Sequence, residues 1–261
     1  MGRTGTREWS DHSENVCVGC SNNCRYCYAK ANAIRFKRRR PDNWSTEIIV
    51  GKLKKYAKRK GRTMLPTTHD ITDGTEVAVL DAVNGLLLAG NSILIVSKPR
   101  LSTIRFICEN LNPGCDPMGL VTFRFTIGSY RDSILKYWEP GAPCFADRLA
   151  TLVWCHNAGW ETSISCEPML DSRERMVELV EMMAPFVSDS IWIGKMNQIR
   201  QRLTANGETY DKELLRRIDE IECNQADGQI NLLYDSLKDH PLVKWKDSIK
   251  KVVGLPEEEP G

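Results

Sequence analysis

The sequence predicts an α/β protein built on a parallel sheet, and three observations carry that prediction. Short apolar segments alternate with helical patterns of roughly 10 to 15 residues, the signature of βα units. The segment Ser92 to Ser97 reads Ser-Ile-Leu-Ile-Val-Ser, apolar along its length rather than alternating, as in a strand covered on both faces. The βα unit recurs about six times along the chain, which suits a barrel-like sheet or a doubly wound one.

In order, residues 1 to 14 read as a polar lead-in anchored by Trp9, and Asn15 to Gly19 as a short first strand. Ala29 to Arg40 is helical in pattern and stops before Pro41; Glu47 to Lys60 reads as a second amphipathic helix stopped by Gly61. A strand follows at Thr63 to Thr68, then a helix at Glu76 to Ala89 closed by Gly90. After Ser92 to Ser97 come a helix at Leu101 to Asn110, a strand at Val121 to Gly128 and a helix at Phe145 to Ala158. A strand at Thr162 to Cys166, a helix at Ser172 to Phe186 and a strand at Ser190 to Ile193 complete the repeats. Asp211 to Lys250 holds one or two helices and a short strand near Leu242 to Trp245, before a glutamate-rich tail. The expected division is therefore a lead-in over 1–14, a catalytic core over 15–200 and a C-terminal extension over 201–261.

Composition bounds the class. The chain has 261 residues, 41% hydrophobic and 27% charged, enough for one substantial core. No apolar run approaches the roughly 18 residues that span a membrane. Ten cysteines, four of them clustered, suit a reducing cytoplasmic location and a metal centre better than a disulfide framework. Net charge is only +2, yet residues 25–62 hold fourteen Lys or Arg against Asp42 and Glu47, so this segment carries +12 and the remainder −10. Such density is the footprint of a phosphate-backbone contact, although a solvated helix face has the same composition.

The densest chemistry lies at residues 15–28, Asn-Val-Cys-Val-Gly-Cys-Ser-Asn-Asn-Cys-Arg-Tyr-Cys-Tyr. Paired CxxC knuckles for zinc want a long stretch between them, and only Ser21, Asn22 and Asn23 intervene here. Nor do the gaps follow the ferredoxin order. Cys20, Cys24 and Cys27 alone read as C-x3-C-x2-C with an aromatic at Tyr26, which leaves Cys17 as a small buried hydrophobe on the entering strand.

This stretch, CSNNCRYC, resembles the cluster-binding loop of the radical S-adenosylmethionine (SAM) enzymes. The resemblance implies a partial (β/α)6 barrel with parallel strands. It also implies a [4Fe-4S] cluster on Cys20, Cys24 and Cys27 whose open iron chelates SAM, with Tyr26 near the adenine. An external electron donor, a reductase or a flavodoxin or ferredoxin, is implied with it. Thr-Thr-His-Asp and Ser-Cys-Glu-Pro-Met-Leu are further similar to a phage Gp37/Gp68-like branch related to the spore photoproduct lyase group.

In barrel-like sheets function sits at the C-terminal ends of the strands. Those ends are polar in this chain: Thr67-Thr68-His69-Asp70, Ser97-Lys98, Ser129-Tyr130-Arg131, Cys166-Glu167-Pro168 and Lys195-Met196-Asn197. Within the resemblance, Thr68, His69 and Asp70 are candidates for the methionine end of SAM, Lys98 or Arg131 for its carboxylate and Ser129 for the ribose. The alternative for His69 is a structural hydrogen bond, and for Arg131 a helix-start ion pair. Glu167, held extended by Pro168, is the candidate catalytic carboxylate. Its alternatives are a cap near Ser172 or a pair with Arg173. The expected function is reductive SAM cleavage with hydrogen abstraction from a nucleic acid or nucleotide, the nucleic acid held through residues 25–62. The rival class is a zinc-stabilised nucleic-acid-binding protein using all four cysteines.

Overall fold

The computed structural model describes residues 4–50, 55–114 and 116–256. The chain enters through a 3-10 turn at Gly5–Glu8, then runs β1 (His12–Ser13), β2 (Cys17–Val18), α1 (Tyr28–Arg35), β3 (Ile48–Ile49) and β4 (Arg62–Leu65). It continues through α2 (Glu76–Leu88), β5 (Ser92–Ser97), α3 (Leu101–Glu109), β6 (Val121–Thr126), α4 (Asp132–Trp138), α5 (Phe145–Asn157) and β7 (Glu161–Cys166). The last elements are α6 (Arg173–Met183), β8 (Ile191–Ile193), α7 (Ile199–Ala205), α8 (Lys212–Asn224), α9 (Asp227–Leu237), β9 (Val243–Trp245) and α10 (Asp247–Val253).

Seven strands form one parallel sheet in the order β1-β4-β5-β6-β7-β8-β9. Because each strand lies beside its predecessor in the sheet, the winding never reverses. A doubly wound sheet needs such a reversal, so this is the partial-barrel alternative. Among the described residues the two edge strands β1 and β9 do not pair, and the barrel is open on that side.

Parallel register sorts the side chains by face. Ile93, Ile95, Phe123, Phe125, Ile164, Ile191 and Ile193 point outward into the core under the helices. The inner face is polar and aromatic: Thr122, Arg124, Thr126, Ser163, Ser165 and Trp192, with Met64 and Leu94. Trp9 packs into this concave side against Met64, Leu94 and Trp192.

Four sequence expectations are corrected. The first sheet strand is β1, inside the expected lead-in; two polar residues give no apolar signal. Residues 17–18, expected in the sheet, pair antiparallel with Ile48–Ile49 in a separate ribbon. The helix expected over Glu47 to Lys60 is replaced by β3 and, over 55–59, by irregular chain. The run Ile48-Ile49-Val50 favours an extended backbone. The helix expected to reach Arg40 ends at Arg35 in a Schellman turn: Lys37 sits at φ 54°, Arg38 N donates to Ala33 O and Lys37 N to Ile34 O.

Candidate active site

The cysteine loop begins at Gly19, whose φ of +101° and whose place 2.2 Å from Thr46 O (measured from where a Cβ would stand) admit glycine alone. Cys20 N donates to Trp44 O, Asn23 N to Cys20 O and Cys27 N to Cys24 O, which curls the loop tightly. Asn22 is fully buried and bridges two elements: its Nδ2 donates to Asp70 Oδ2 at 2.9 Å, and its Oδ1 accepts from Arg100 at 2.7 Å. From the other side Asn206, after α7, donates to the carbonyls of Arg25 and Cys27. Gly141 closes against the loop, where a Cβ would stand 2.3 Å from Ser21 O.

Cys20, Cys24 and Cys27 are mutual neighbours. Burial pushes the Cys20 thiol up to about 12, with Asp70 and Cys27 adding to it. Cys24 is raised by burial against the opposing pull of Lys98, and its thiol also feels Cys20 and Cys27. Cys27 is the N-cap of α1, its sulfur accepting from Lys30 N at 3.4 Å; burial raises its thiol, and this N–H and Lys98 oppose the rise. Cys17 stands apart in the ribbon. Its sulfur donates to Gly19 O, and it is raised to about 11 by burial and by Glu47 rather than by the other cysteines. Among the described residues no three His, Cys, Asp or Glu converge on one single-ion position.

The expected rim residues separate into two groups. Lys98 is near the loop: its Nζ lies 3.9 Å from Asp70 Oδ2 and 5.9 Å from the Tyr26 ring centre. Burial works to lower its pKa, yet Cys24, Glu139 and Asp70 together raise it, so it is a half-buried ammonium. Tyr26 is buried between the cysteines and donates its hydroxyl to Glu139 Oε1. The other Glu139 oxygen pairs with Arg148 at 2.5 Å, both side chains being fully buried. Thr68 is exposed at the rim.

Asp70 is an internal hub. It accepts from Asn22, Ser97, Ile71 N and Lys98 N, tying the ends of β4 and β5 to the loop. His69 takes the structural alternative. Its Nε2 accepts from Val16 N at 3.1 Å and its Nδ1 donates to Asp70 O at 2.9 Å, while burial lowers its pKa, so the neutral ring has no nitrogen left for a cofactor. Ser129 and Arg131 are likewise taken up. Ser129 Oγ donates to Asp171 Oδ2 at 2.8 Å, and the Arg131 guanidinium grips the same carboxylate through two nitrogens at 2.8 and 2.5 Å. Sequence spacing alone could not show that Asp171 would claim both.

Glu167 neither caps α6 nor meets Arg173, which pairs with Glu174. It is half-buried on the inner face two residues beyond Ser165, with Lys246 Nζ 3.4 Å away. Burial raises its pKa against the pull of Lys246. Gly194 makes this meeting possible, because a Cβ there would stand 2.8 Å from Lys246 Cγ and 3.0 Å from Glu167 Cγ. Tyr28 and Arg202 each lie within electrostatic reach of both Cys27 and Glu167. Lys246, Arg202, Glu139 and Asn22 escaped the sequence reading; of these only Asn22, inside the cysteine motif, carried a signal.

Comparison with known proteins follows from this geometry. The radical SAM superfamily matches residues 15–183. Spore photoproduct lyase complexed with dinucleoside spore photoproduct superposes with a TM-score of 0.59 at 13% identity, covering 94% of this chain and 78% of that one. A doubly substituted spore photoproduct lyase with bound AdoMet gives the same values. Streptococcus suis SuiB bound to precursor peptide SuiA gives 0.53 at 12% identity, covering 91% of this chain and 49% of that one. At such identities the likeness establishes the fold. No curated protein matches in sequence.

Proposed function

This chain belongs to the radical SAM superfamily, and from that premise we propose that it is a SAM-cleaving enzyme whose [4Fe-4S] cluster is held by Cys20, Cys24 and Cys27. The single observation that carries the reading is the packing of Cys27 with both Cys20 and Cys24 in a loop pinned from both sides, with Cys17 turned into the ribbon. Two buried thiols and a half-buried one at a helix N-terminus, beside the half-buried Lys98 ammonium, suit a cluster that keeps one iron open. When bound, cluster and SAM supply reductive cleavage to methionine and a 5′-deoxyadenosyl radical, which takes a hydrogen atom from substrate.

The protein's own residues bind, orient and shield. Lys98 is positioned to offset thiolate charge or to meet the SAM carboxylate, and exposed Thr68 is within the same rim. Tyr26, fixed by Glu139 and Arg148, presents a ring of set orientation. Glu167 faces the interior below them and shares Lys246 with Glu8. Asp70 acts through the loop and is a positioning residue.

For substrate we favour a nucleic acid or nucleotide, and within the superfamily a place in the Gp37/Gp68-like branch related to the spore photoproduct lyase group. The support is the exposed corner where Arg35 and Arg38 both lie 5.6 Å over the ring of Phe36, itself 60% exposed. Cations around an open aromatic suit a stacked base and its phosphates. An electron donor such as a flavodoxin or ferredoxin completes the proposal. Zinc on all four cysteines finds no support in the position of Cys17. The test is anaerobic incubation of the iron-reconstituted protein with SAM and dithionite. 5′-Deoxyadenosine is expected; its absence from cluster-loaded protein, with Cys17 required for metal retention, overturns the reading.

A further inference from the structure

The interior of the barrel, below Glu167, holds polar atoms that the fold does not use. Register places Arg124, Ser165 and Trp192 on the inner face, and Trp9 reaches the same space from the N-terminal segment. Arg124 Cζ lies 5.0 Å over the Trp9 ring and 5.5 Å over that of Trp192, and the two indoles meet edge to face at 6.1 Å. These residues are 0 to 8% exposed. Arg124 satisfies part of its guanidinium: Nε donates to Ser163 at 2.9 Å and Nη2 to Asp189 at 3.0 Å. Its Nη1, Trp9 Nε1, Trp192 Nε1 and Ser165 Oγ have no hydrogen-bond partner among the described residues.

A buried donor without an acceptor is costly, and folded proteins carry few of them. Here three sit on one face of one sheet, and the fourth, on Trp9, packs against that face. Three are N–H groups that can only donate, and the fourth is a hydroxyl free to donate. Asp189 already balances the Arg124 charge, so the group that completes this set must bring acceptor oxygens rather than a large net charge. Lys246, 4.2 Å over Trp9, lies at the upper end, already paired with buried Glu8 at 2.8 Å and with Glu167 at 3.4 Å.

We propose that Arg124, Ser165, Trp9 and Trp192 form a binding site for a carbonyl or carboxylate oxygen of a ligand that enters the barrel past Glu167. The ligand's acceptor end seats among the four donors while the part above it lies beside Glu167, at the level of the rim. This deepens the proposed function by fixing one feature of the substrate, an oxygen acceptor at the end remote from the cysteine loop. It does not depend on the cluster, since the donors are set by the sheet and by Trp9.

The experiment uses the full chain, labelled with 15N, and follows the indole Nε1–H resonances, assigned through Trp9→Phe and Trp192→Phe. Acetate, uracil and inorganic phosphate are the probes, for carboxylate, neutral carbonyl and phosphate oxygens. Acetate or uracil is expected to shift both indole signals saturably, with the apparent Kd weakened at least fivefold in Ser165→Ala, a change small enough to leave the strand intact. Phosphate is expected to shift neither. Absent or non-saturating shifts, or shifts unaltered by Ser165→Ala, would overturn the site and leave ordinary water as the partner. A saturable response to phosphate alone would overturn the assigned ligand class. Because the readout needs neither iron nor SAM, failure here and failure of SAM cleavage are distinguishable.

Discussion

In the cysteine loop, one buried asparagine reaches both Asp70 and Arg100, and a second, Asn206, holds the loop's far carbonyls. The basic segment that follows is as conspicuous in the sequence, but its cations are dispersed. Arg39 donates to Val18 O and Thr46 O, Arg40 pairs with Asp42, Arg59 pairs with Glu14 and Lys58 reaches Gly90 O. Among the described residues, a corner around Phe36 is left open, with Arg35 and Arg38 over its ring. The difference teaches that residue density marks a site only when the fold makes the residues converge. Cysteines three and four apart in a tight loop must converge, whereas basic residues strung over a ribbon and irregular chain need not.

The sharpest way to break this comparison is to remove thiols singly. Replacing Cys20, Cys24 or Cys27 by Ala is expected to abolish iron binding in anaerobically reconstituted protein, measured as iron and sulfide per chain. Cys17→Ala is expected to retain it. Equal loss in Cys17→Ala would return the loop to a four-thiolate centre.

The next effect is on the hub. Asp70→Ala leaves Asn22, Ser97 and Lys98 N without their acceptor inside the protein, a defect of about 3 to 5 kcal/mol if treated as a broken buried network. Urea denaturation of the apo chain reads it directly. A change under about 1 kcal/mol would show that the loop is pinned by Asn206 and Gly141 instead.

The sheet was legible because apolar strands of continuous type and helices of three turns write a strong periodic signal, as at Ser92 to Ser97. β1, α4 and α7 were not, since two to seven residues give no period to read. In the candidate site, the three cysteines were visible as a spaced motif and Glu167 as a carboxylate just past a strand. That Asp171 would claim Ser129 and Arg131, or that Lys246 would meet Glu167 across more than seventy residues, is a tertiary fact without local trace. His69 shows the converse: it looked like a ligand in sequence, and two backbone groups consume it.

Two buried carboxylates respond to pH with opposite sign. Glu139 is lowered: burial pushes it up, but Arg148 and Lys98 overcome this, so its contribution to stability is complete above the ordinary carboxylate range and is lost as pH falls through its lowered value. Glu167 is raised, so its burial costs stability progressively as pH rises from the ordinary range through its raised value. The urea midpoint measured against pH is expected to lose part of its acid-side fall in Glu139→Gln and to gain on the neutral side in Glu167→Gln. The same Glu167→Gln protein, loaded with cluster, is expected to cleave SAM at least about tenfold more slowly, equivalent to about 1.4 kcal/mol. Unchanged turnover would remove Glu167 from the site while leaving its place on the inner face intact.

The smallest effect separates two adjacent arginines. Arg38 lies over the open ring of Phe36, and Arg39 is bound to the carbonyls of Val18 and Thr46, so only the first is placed to meet a phosphate. If the Phe36 corner grips a nucleic-acid backbone, the log of affinity should fall linearly with log salt, by roughly 0.7 per neutralised phosphate on a single strand. Arg38→Ala is then expected to lower that slope by about one contact and Phe36→Ala to weaken binding with little change of slope, because a stacked base releases no counterion. Arg39→Ala is expected to leave the slope nearly unchanged and to act on stability, since it frees Val18 O and Thr46 O beside Gly19. Fluorescence anisotropy of a labelled oligonucleotide between low and moderate salt measures all three. Equal slopes for Arg38→Ala and Arg39→Ala would mean that the whole basic segment acts as diffuse charge, and the distinction drawn between convergent and dispersed residues would fail where it is finest.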